Sequence, residues 1–293
     1  LFDPLGIENP TWEVSPEGVS TGGYGLSVRT EDIARFGQLY LQKGQWQGKQ
    51  LVPAEWVEAA TARQTSNGSN PNSDWDQGYG YQFWRCRHGL YRGDGAFGQY
   101  CIVFPEQDAV IAITSGVRDM QAVMNLVWDR LRPAMKEGPL PPDDATAQKL
   151  KQRLRSLSLP TPAEGGSAAP VSGKKYVFGT NDQAVETITL EETSGDDRVM
   201  LVLRIGGREQ RIACGRDRWH EGRITWGQFS DQPIAAAGAW TQDDTFTAKL
   251  CLYETPFIYT IRLKFGGRQV RYDAEANVAF GPTKQPQLIG RTQ

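Results

Sequence analysis

The chain has 293 residues, of which 39% are hydrophobic and 23% charged, with a formal net charge of −2 at pH 7. These values are ordinary for a globular protein, and the length predicts about two domains. The near-neutral charge excludes the basic surface expected of a nucleic-acid-binding protein, and no apolar run is long enough to span a membrane.

The first residue is Leu1, and the opening stretch "LFDPLGIENPTWEV" has no feature typical of a protein start. We therefore expect a fragment or one half of a cut precursor. The lack of a signal peptide consequently says nothing about the cellular compartment.

Two amphipathic helices are predicted in the first third of the chain. The first lies in "RTEDIARFGQLYLQKG", with Thr30 as the expected N-cap and Gly44 as the stop. Its apolar residues recur at helical spacing: Ile33, Phe36, Leu39 and Tyr40. The second begins at Pro53, whose missing N–H costs nothing in a first turn, and places Trp56, Val57 and Ala60 on one face.

A β-hairpin is predicted next. Two apolar runs, 100–104 and 109–114, flank the four-residue turn 105–108. A glycine cluster precedes the first run: Gly93, Gly95 and Gly98, with Asp94 inside it. Glycine weakens a strand unless the backbone must stay bare. A closing amphipathic helix is expected over 119–135.

The rest of the chain changes composition. Residues 137–173 read as a linker rich in Pro, Gly and Ser, with a possible short charged helix inside it. Residues 174–293 alternate apolar and polar positions between turn signals, which predicts a separate all-β domain, either a sheet or a barrel. The expected domains are therefore 1–136 and 174–293.

The four cysteines, Cys86, Cys101, Cys214 and Cys251, have no metal-ligand spacing, and only two histidines are present. A metal site is therefore not expected. Four buried thiols are the favoured interpretation. The alternative is one disulfide in each domain, Cys86–Cys101 and Cys214–Cys251.

Read in order, "DPLGIENPTW", "GGYGLSVRTEDIARFGQLYLQKGQWQGKQLVPAEWV", "YGYQFW" and "GDGAFGQYCIVFPEQDAVIAITSG" resemble the C-terminal half of the serine β-lactamase and penicillin-binding-protein superfamily. The resemblance lies in its class C-like branch and covers residues 1 to about 135. It implies an α/β (α+β) fold in which helices pack on an antiparallel sheet, followed here by the appended β-rich domain.

The resemblance implies catalysis by a serine in a Ser-x-x-Lys motif, through an acyl-enzyme, with no metal or organic cofactor. Gly93, Asp94 and Gly95 occupy the place of the family's third motif, where a substrate would pass close to the strand. Ala96 would then donate its backbone N–H to the oxyanion. If the motif is instead 92–94, the donor is Gly95. Trp75 is the aromatic residue best placed for substrate contact.

Two departures from the family pattern are clear. The third motif lacks the usual lysine or histidine, and Asp94 would not attract a substrate carboxylate, which argues against efficient β-lactamase action. There is also no credible Ser-x-x-Lys: the literal match at 172–175 lies in the linker, without a helix. The nucleophile is expected upstream of Leu1.

The favoured function is hydrolysis of small esters, amides or D-amino-acid peptides, with this chain inactive alone. The alternative is a non-catalytic binding or sensor module on a degenerate hydrolase scaffold. Expected partners are a small-molecule substrate and either the N-terminal half of the same precursor or a second copy bound at the 109–114 edge strand. The resemblance favours a periplasmic or secreted location.

Overall fold

The computed structural model describes residues 1–136, 138, 140–192, 195, 197–227 and 229–292. The chain divides into two compact units, Leu1–Pro142 and Asp143–Gln293. Residues 137 and 139, at the start of the expected linker, lie outside the described residues.

The first unit contains short helices and a four-stranded antiparallel sheet, in which strands 84–85, 91–95, 99–104 and 109–113 are neighbours in chain order. Its helices are α1 (Phe2–Leu5), α2 (Thr30–Leu41), α3 (Ala54–Thr61) and α4 (Met120–Leu126), with 3₁₀ turns at Arg87–Gly89 and Arg132–Ala134 and a π-helical turn at Val127–Leu131. Its strands are β1 (Thr11–Trp12), β2 (Leu26–Ser27), β3 (Gln45–Trp46), β4 (Lys49–Gln50), β5 (Trp84–Arg85), β6 (Tyr91–Gly95), β7 (Gln99–Phe104) and β8 (Ala109–Ile113). The predicted hairpin is confirmed as β7–β8.

Helix α2 forms where its apolar spacing predicts, but its cap differs. The N-cap is Arg29 rather than Thr30, and the Asp32 carboxylate accepts the Arg29 backbone N–H at 3.2 Å. Gly44 has φ +82° and donates its N–H to the Leu39 carbonyl at 2.8 Å, which stops the helix as expected. Gly37 lets α2 approach the sheet closely, because a Cβ there would lie 2.5 Å from Val110.

The two faces of the sheet carry separate apolar clusters. On one face, residues of α2 and α3 pack against β6 and β7, and the buried members are Tyr40, Val57, Ala60, Phe83, Tyr91, Cys101 and Val103. On the other face, α4 and its π-helical continuation cover β7, and the buried members are Cys86, Leu90, Tyr100, Ile102, Phe104, Met124, Val127 and Trp128. Strand alternation explains this division, since neighbouring residues point to opposite faces.

Two sequence expectations fail in this unit. Trp56 does not join Val57 on a buried face: it is half exposed and stacks on Tyr81, with ring centroids 5.6 Å apart. The alternative disulfide Cys86–Cys101 is absent, because the two buried thiols belong to clusters on opposite faces of the sheet. Cys214 and Cys251 are also free and buried.

The second unit begins with helix α5 (Asp144–Arg155) and continues as ten strands among the described residues, paired antiparallel except at one bridge. These are β9 (Lys175–Phe178), β10 (Val185–Glu192), β11 (Arg198–Ile205), β12 (Arg208–Gly215), β13 (His220–Trp226), β14 (Phe229–Gln242), β15 (Thr245–Cys251), β16 (Ile258–Gly266), β17 (Gln269–Ala276) and β18 (Leu288–Thr292). β9 pairs with β18, and a parallel bridge between Gly215 and Ala237 joins β12 to β14. Nine strands thus form a closed barrel, and β13 pairs with β14 and contributes Ile224 to the buried core.

The barrel interior is filled by side chains. Strand β11 shows the pattern: Val199, Leu201 and Leu203 are fully buried, and the residues between them point outward. Trp240, Phe246 and Phe265 pack together in the interior. The all-β domain is therefore a barrel, one of the two forms that the sequence left open.

Candidate active site

The candidate site is built on the turn that joins β6 to β7. The Gly98 N–H donates to the Gly95 carbonyl at 3.3 Å, which closes the turn over Ala96 and Phe97. Phe97 has φ +65° and Gly98 has φ +92°. A Cβ on Gly98 would also lie 2.3 Å from the Ser115 hydroxyl oxygen, so this glycine is required by the turn itself.

Gln99 and Ser115 hold this turn in place. The Gln99 side-chain amide donates to the carbonyls of Ala96 at 3.1 Å and Ser115 at 2.6 Å. The Ser115 hydroxyl donates to the carbonyls of Phe97 and Gly98. Because the carbonyl of a residue points away from the N–H of the next residue in a trans peptide, the held carbonyls of Ala96 and Phe97 fix the N–H directions of Phe97 and Gly98. The Gly95 carbonyl, held by the Gly98 N–H, does the same for the Ala96 N–H.

Gly93 has no such internal reason to be glycine. Its φ lies outside the left-handed region, and the nearest atom to an added Cβ is the Cys101 Cβ at 3.8 Å, an ordinary contact. At Gly95 an added Cβ would lie 3.3 Å from the Gln99 Cβ, which is tight but involves a side chain. β5 pairs with β6 only at Tyr91 and Arg92, so within the described residues β6 has no ladder partner beside 93–95 on that side.

An ion pair lies beneath the same stretch of β6. Arg92 and Asp94 share one strand face, and the Arg92 Nε donates to Asp94 Oδ2 at 3.0 Å. The guanidinium also lies over the ring of Trp75 at 4.6 Å and near that of Trp84 at 5.5 Å. Burial raises the pKa of Asp94, and the Arg92 charge opposes this rise.

The loop that carries Trp75 is fixed by a second buried carboxylate. Asp74 accepts hydrogen bonds from Trp128 Nε1 at 2.8 Å, Gln121 Nε2 at 2.7 Å and Arg87 Nε at 3.0 Å. Its backbone carbonyl accepts from Arg92 Nη1 at 2.9 Å. Burial alone would raise the pKa of Asp74, but these hydrogen bonds outweigh it and hold the pKa below its ordinary value.

The structure places the expected site residues in two groups. Trp75 and Asp94 come together because both contact Arg92. Gly93 and Gly95 point to the other strand face, and Ala96 is exposed in the turn. Sequence reasoning missed the roles of Asp74 and Gln99, whose partners are distant in sequence or belong to the turn backbone.

Other sequence candidates are placed elsewhere. In the literal Ser-x-x-Lys match, the Ser172 hydroxyl accepts the Glu192 N–H and Lys175 opens β9, so no helix aligns the serine with the lysine. His88, one of the two histidines of the chain, is exposed and makes an edge contact with Trp128. Within the described residues no three His, Cys, Asp or Glu side chains are grouped to hold a metal, and no helix is long and apolar enough to cross a bilayer.

Comparisons with solved structures show partial similarities. The chain is similar to the "Putative 6-aminohexanoate-dimer hydrolase from Bacillus anthracis", with 22% identity and a TM-score of 0.37, covering 46% of this chain and 37% of that one. The chain thus spans little more than a third of that protein's length. It is also similar to a fatty acid-binding protein in brain tissue of Drosophila melanogaster, with 10% identity and a TM-score of 0.32, covering 42% of this chain and 99% of that one.

A third similar structure is secretory abundant heat soluble protein 4 from Ramazzottius varieornatus, with 9% identity and a TM-score of 0.32, covering 45% of this chain and 99% of that one. No curated protein matches the chain. Residues 1–121 match the family model described as Beta-lactamase. The first unit therefore carries, over residues 1–121, a domain of the serine β-lactamase-like superfamily.

Proposed function

We propose that this chain forms one wall of a serine hydrolase site that acts on small esters, amides or D-amino-acid peptides through an acyl-enzyme. The observation that carries the proposal is the bare, unpaired edge of β6 at Gly93, where neither backbone strain nor internal packing requires glycine. A substrate lying along this edge would explain why no side chain is present.

In this proposal the turn after β6 supplies the electrostatic stabilisation. The serine of a segment outside this chain attacks the carbonyl, and negative charge develops on its oxygen. The Ala96 N–H, on a turn held by Gln99 and Ser115, donates to that oxygen. If the motif is 92–94, the donor is Gly95.

Asp94 and Trp75 would shape the substrate side of this wall. The Asp94 carboxylate is engaged by Arg92, so the substrate would meet a compensated ion pair rather than an isolated negative charge. Trp75 stacks on the same guanidinium and would contribute an apolar surface. This favours neutral acyl groups over the carboxylate-bearing substrates that a lysine or histidine motif attracts.

The same ion pair favours the second candidate, a non-catalytic binding module. In the third motif the charged residue, Asp94, is already paired with Arg92 of the same strand. The motif therefore offers no free cation for catalysis. Such a module would bind the same small esters or amides at the β6 edge but would form no covalent intermediate.

We also propose a protein partner for the first unit. β8 is an edge strand of the four-stranded sheet, and its residues Val110 and Ile111 pack against opposite clusters. Its outer edge would pair with a strand from the N-terminal half of the same precursor, or with a second copy of this chain.

The test is acylation by a fluorophosphonate and turnover of p-nitrophenyl esters. This chain alone should show neither, whereas the chain joined to a segment bearing Ser-x-x-Lys should show both. In that joined protein, Ala96→Pro removes the N–H donor and should lower kcat by about 10²–10³. Ala96→Gly is the matched control, because it keeps the N–H and should keep the activity.

Retained turnover in a folded Ala96→Pro variant would reject Ala96 as the donor, and Gly95 would be tested next. Acylation of this chain alone would show that the nucleophile lies within it. Ester binding by the joined protein without any acylation would instead establish the binding module.

A further inference from the structure

Helix α5 presents an exposed row of leucines. Leu150 and Leu154 lie in the helix, and Leu157 follows it in a final turn closed by a hydrogen bond from its N–H to the Leu154 carbonyl. At 100° per residue, Leu154 lies about 40° to one side of Leu150 and Leu157 about 20° to the other. The three side chains, here called the leucine stripe, are 58%, 57% and 58% exposed.

Basic residues border the leucine stripe on both sides. Lys151 and Lys149 lie about 100° to either side of Leu150, and Arg153 and Arg155 add two more cations within the last turns. Among the described residues none of the four forms an ion pair. The acidic residues Asp143 and Asp144 are confined to the helix start, where Asp143 caps the Thr146 N–H at 2.9 Å.

Helix α5 therefore differs from the other helices among the described residues. α2 and α3 bury their apolar residues against the sheet, whereas all residues of α5 are exposed. An apolar row flanked by lysine and arginine is the pattern of a helix that lies in a lipid interface, where the leucines enter the acyl region and the long cationic side chains reach the headgroups.

We propose that α5, with Leu157, docks its leucine stripe on an anionic lipid surface. The charge arrangement favours this occupant over a second copy of the chain, because pairing two α5 helices would bring like charges together along both borders of the stripe. The helix is too short to cross a bilayer, so it lies on the surface. This inference is independent of the proposed hydrolase function.

The test measures co-sedimentation of the full 293-residue chain with phosphatidylcholine vesicles and with vesicles that also contain phosphatidylglycerol. Binding should require the anionic lipid and weaken as salt is raised. Leu150→Ser with Leu154→Ser should reduce partitioning by about tenfold or more. At low salt, Lys149→Gln with Lys151→Gln should also reduce partitioning into the anionic vesicles by about tenfold or more.

Matched variants carry the same changes elsewhere. Leu126→Ser with Leu140→Ser alters two other exposed leucines, and Lys174→Gln with Lys175→Gln removes two other exposed lysines. Both should bind like the unmodified chain. Because all the altered side chains are exposed, circular dichroism should show unchanged folding.

Three results would overturn the proposal. One is absence of binding to both vesicle types, or equal binding to both. Another is a dimer of the chain that Leu150→Ser with Leu154→Ser abolishes, which would make a second copy the occupant. The third is binding to polyglutamate as strong as to anionic vesicles, which would identify an acidic protein surface instead.

Discussion

The guanidinium of Arg92 lies 2.8 Å from the carboxylate of Asp94, and the Arg92 side chain has no exposed surface. Since the pair is buried, removing one partner leaves an uncompensated charge. We predict that Arg92→Met lowers the free energy of unfolding of the first unit by about 3–5 kcal/mol. Urea unfolding, with hydrogen exchange to assign the affected unit, measures this loss.

The double variant Arg92→Met with Asp94→Ala should recover much of that loss, because it removes both charges. Arg262→Met is the matched control: Arg262 and Glu275 are both substantially exposed, and this change should leave stability nearly unaltered. A double variant no more stable than Arg92→Met would contradict the role of the ion pair.

Alanine substitution should lower the free energy of unfolding at Gly37 but not at Gly93. Gly37→Ala places a Cβ 2.5 Å from Val110 and 2.7 Å from Cys101, and overpacking of this kind costs about 1–3 kcal/mol. Gly93→Ala meets nothing closer than 3.8 Å and should leave the unfolding free energy unchanged or slightly higher.

In the joined protein, Gly93→Ala should nevertheless reduce kcat/KM for p-nitrophenyl esters, because the methyl group occupies the proposed path of the substrate. Full turnover in this variant would contradict close passage of the substrate at Gly93. Thermal unfolding and ester hydrolysis, measured on the same preparation, separate the two effects.

Asp74 should make the stability of the first unit depend on pH. Its folded pKa is depressed, so its contribution is fully present above the ordinary carboxyl pKa of about 3.9 and is lost as pH falls through the lower folded value. The stability difference between the unmodified chain and Asp74→Asn should therefore shrink in acid.

Asp129→Asn, a change at an exposed carboxylate of the same unit, is the control and should leave the unfolding free energy nearly unaltered. Urea midpoints at a series of pH values provide the measurement. If the stability difference between the unmodified chain and Asp74→Asn stays constant down to the lowest pH measured, Asp74 does not ionise as inferred.

The outer edge of β8 should be covered in solution. We predict a mass above that of one chain in light scattering, or slow exchange of the 109–113 amides once the N-terminal segment is added. Both follow because an unpaired apolar edge recruits another strand. A stable single chain whose β8 outer amides exchange freely would defeat this prediction.

Local patterns were sufficient to predict the elements whose periodicity lies within a few residues. The β7–β8 hairpin and the alternation of β11 are examples, since inward and outward positions simply alternate. Helix α2 was predicted because its apolar residues recur at helical spacing. Its cap was predicted wrongly, because Thr30 is the residue type favoured at an N-cap, whereas the N-cap is Arg29, whose backbone N–H is accepted by the Asp32 carboxylate.

The site network could not be predicted because its contacts join distant residues. Arg92 is a charged residue that sequence reasoning places at the surface, yet its burial depends on the carbonyl of Asp74, 18 residues away. Asp74 in turn accepts from Trp128, 54 residues away. Closure of the barrel likewise depends on the Gly215–Ala237 bridge, which alternation within a strand cannot encode.

The pairing of β9 with β18 has a consequence for biosynthesis. β9 begins at Lys175 and its partner ends at Thr292, so the first strand of the ring must wait for the last before it is paired on both sides. During translation β9 therefore keeps one open edge until nearly the whole second unit has left the ribosome. A nascent chain that ends before Leu288 would carry two strands, β9 and β17, each with one open edge, and such edges are a natural target for holding chaperones.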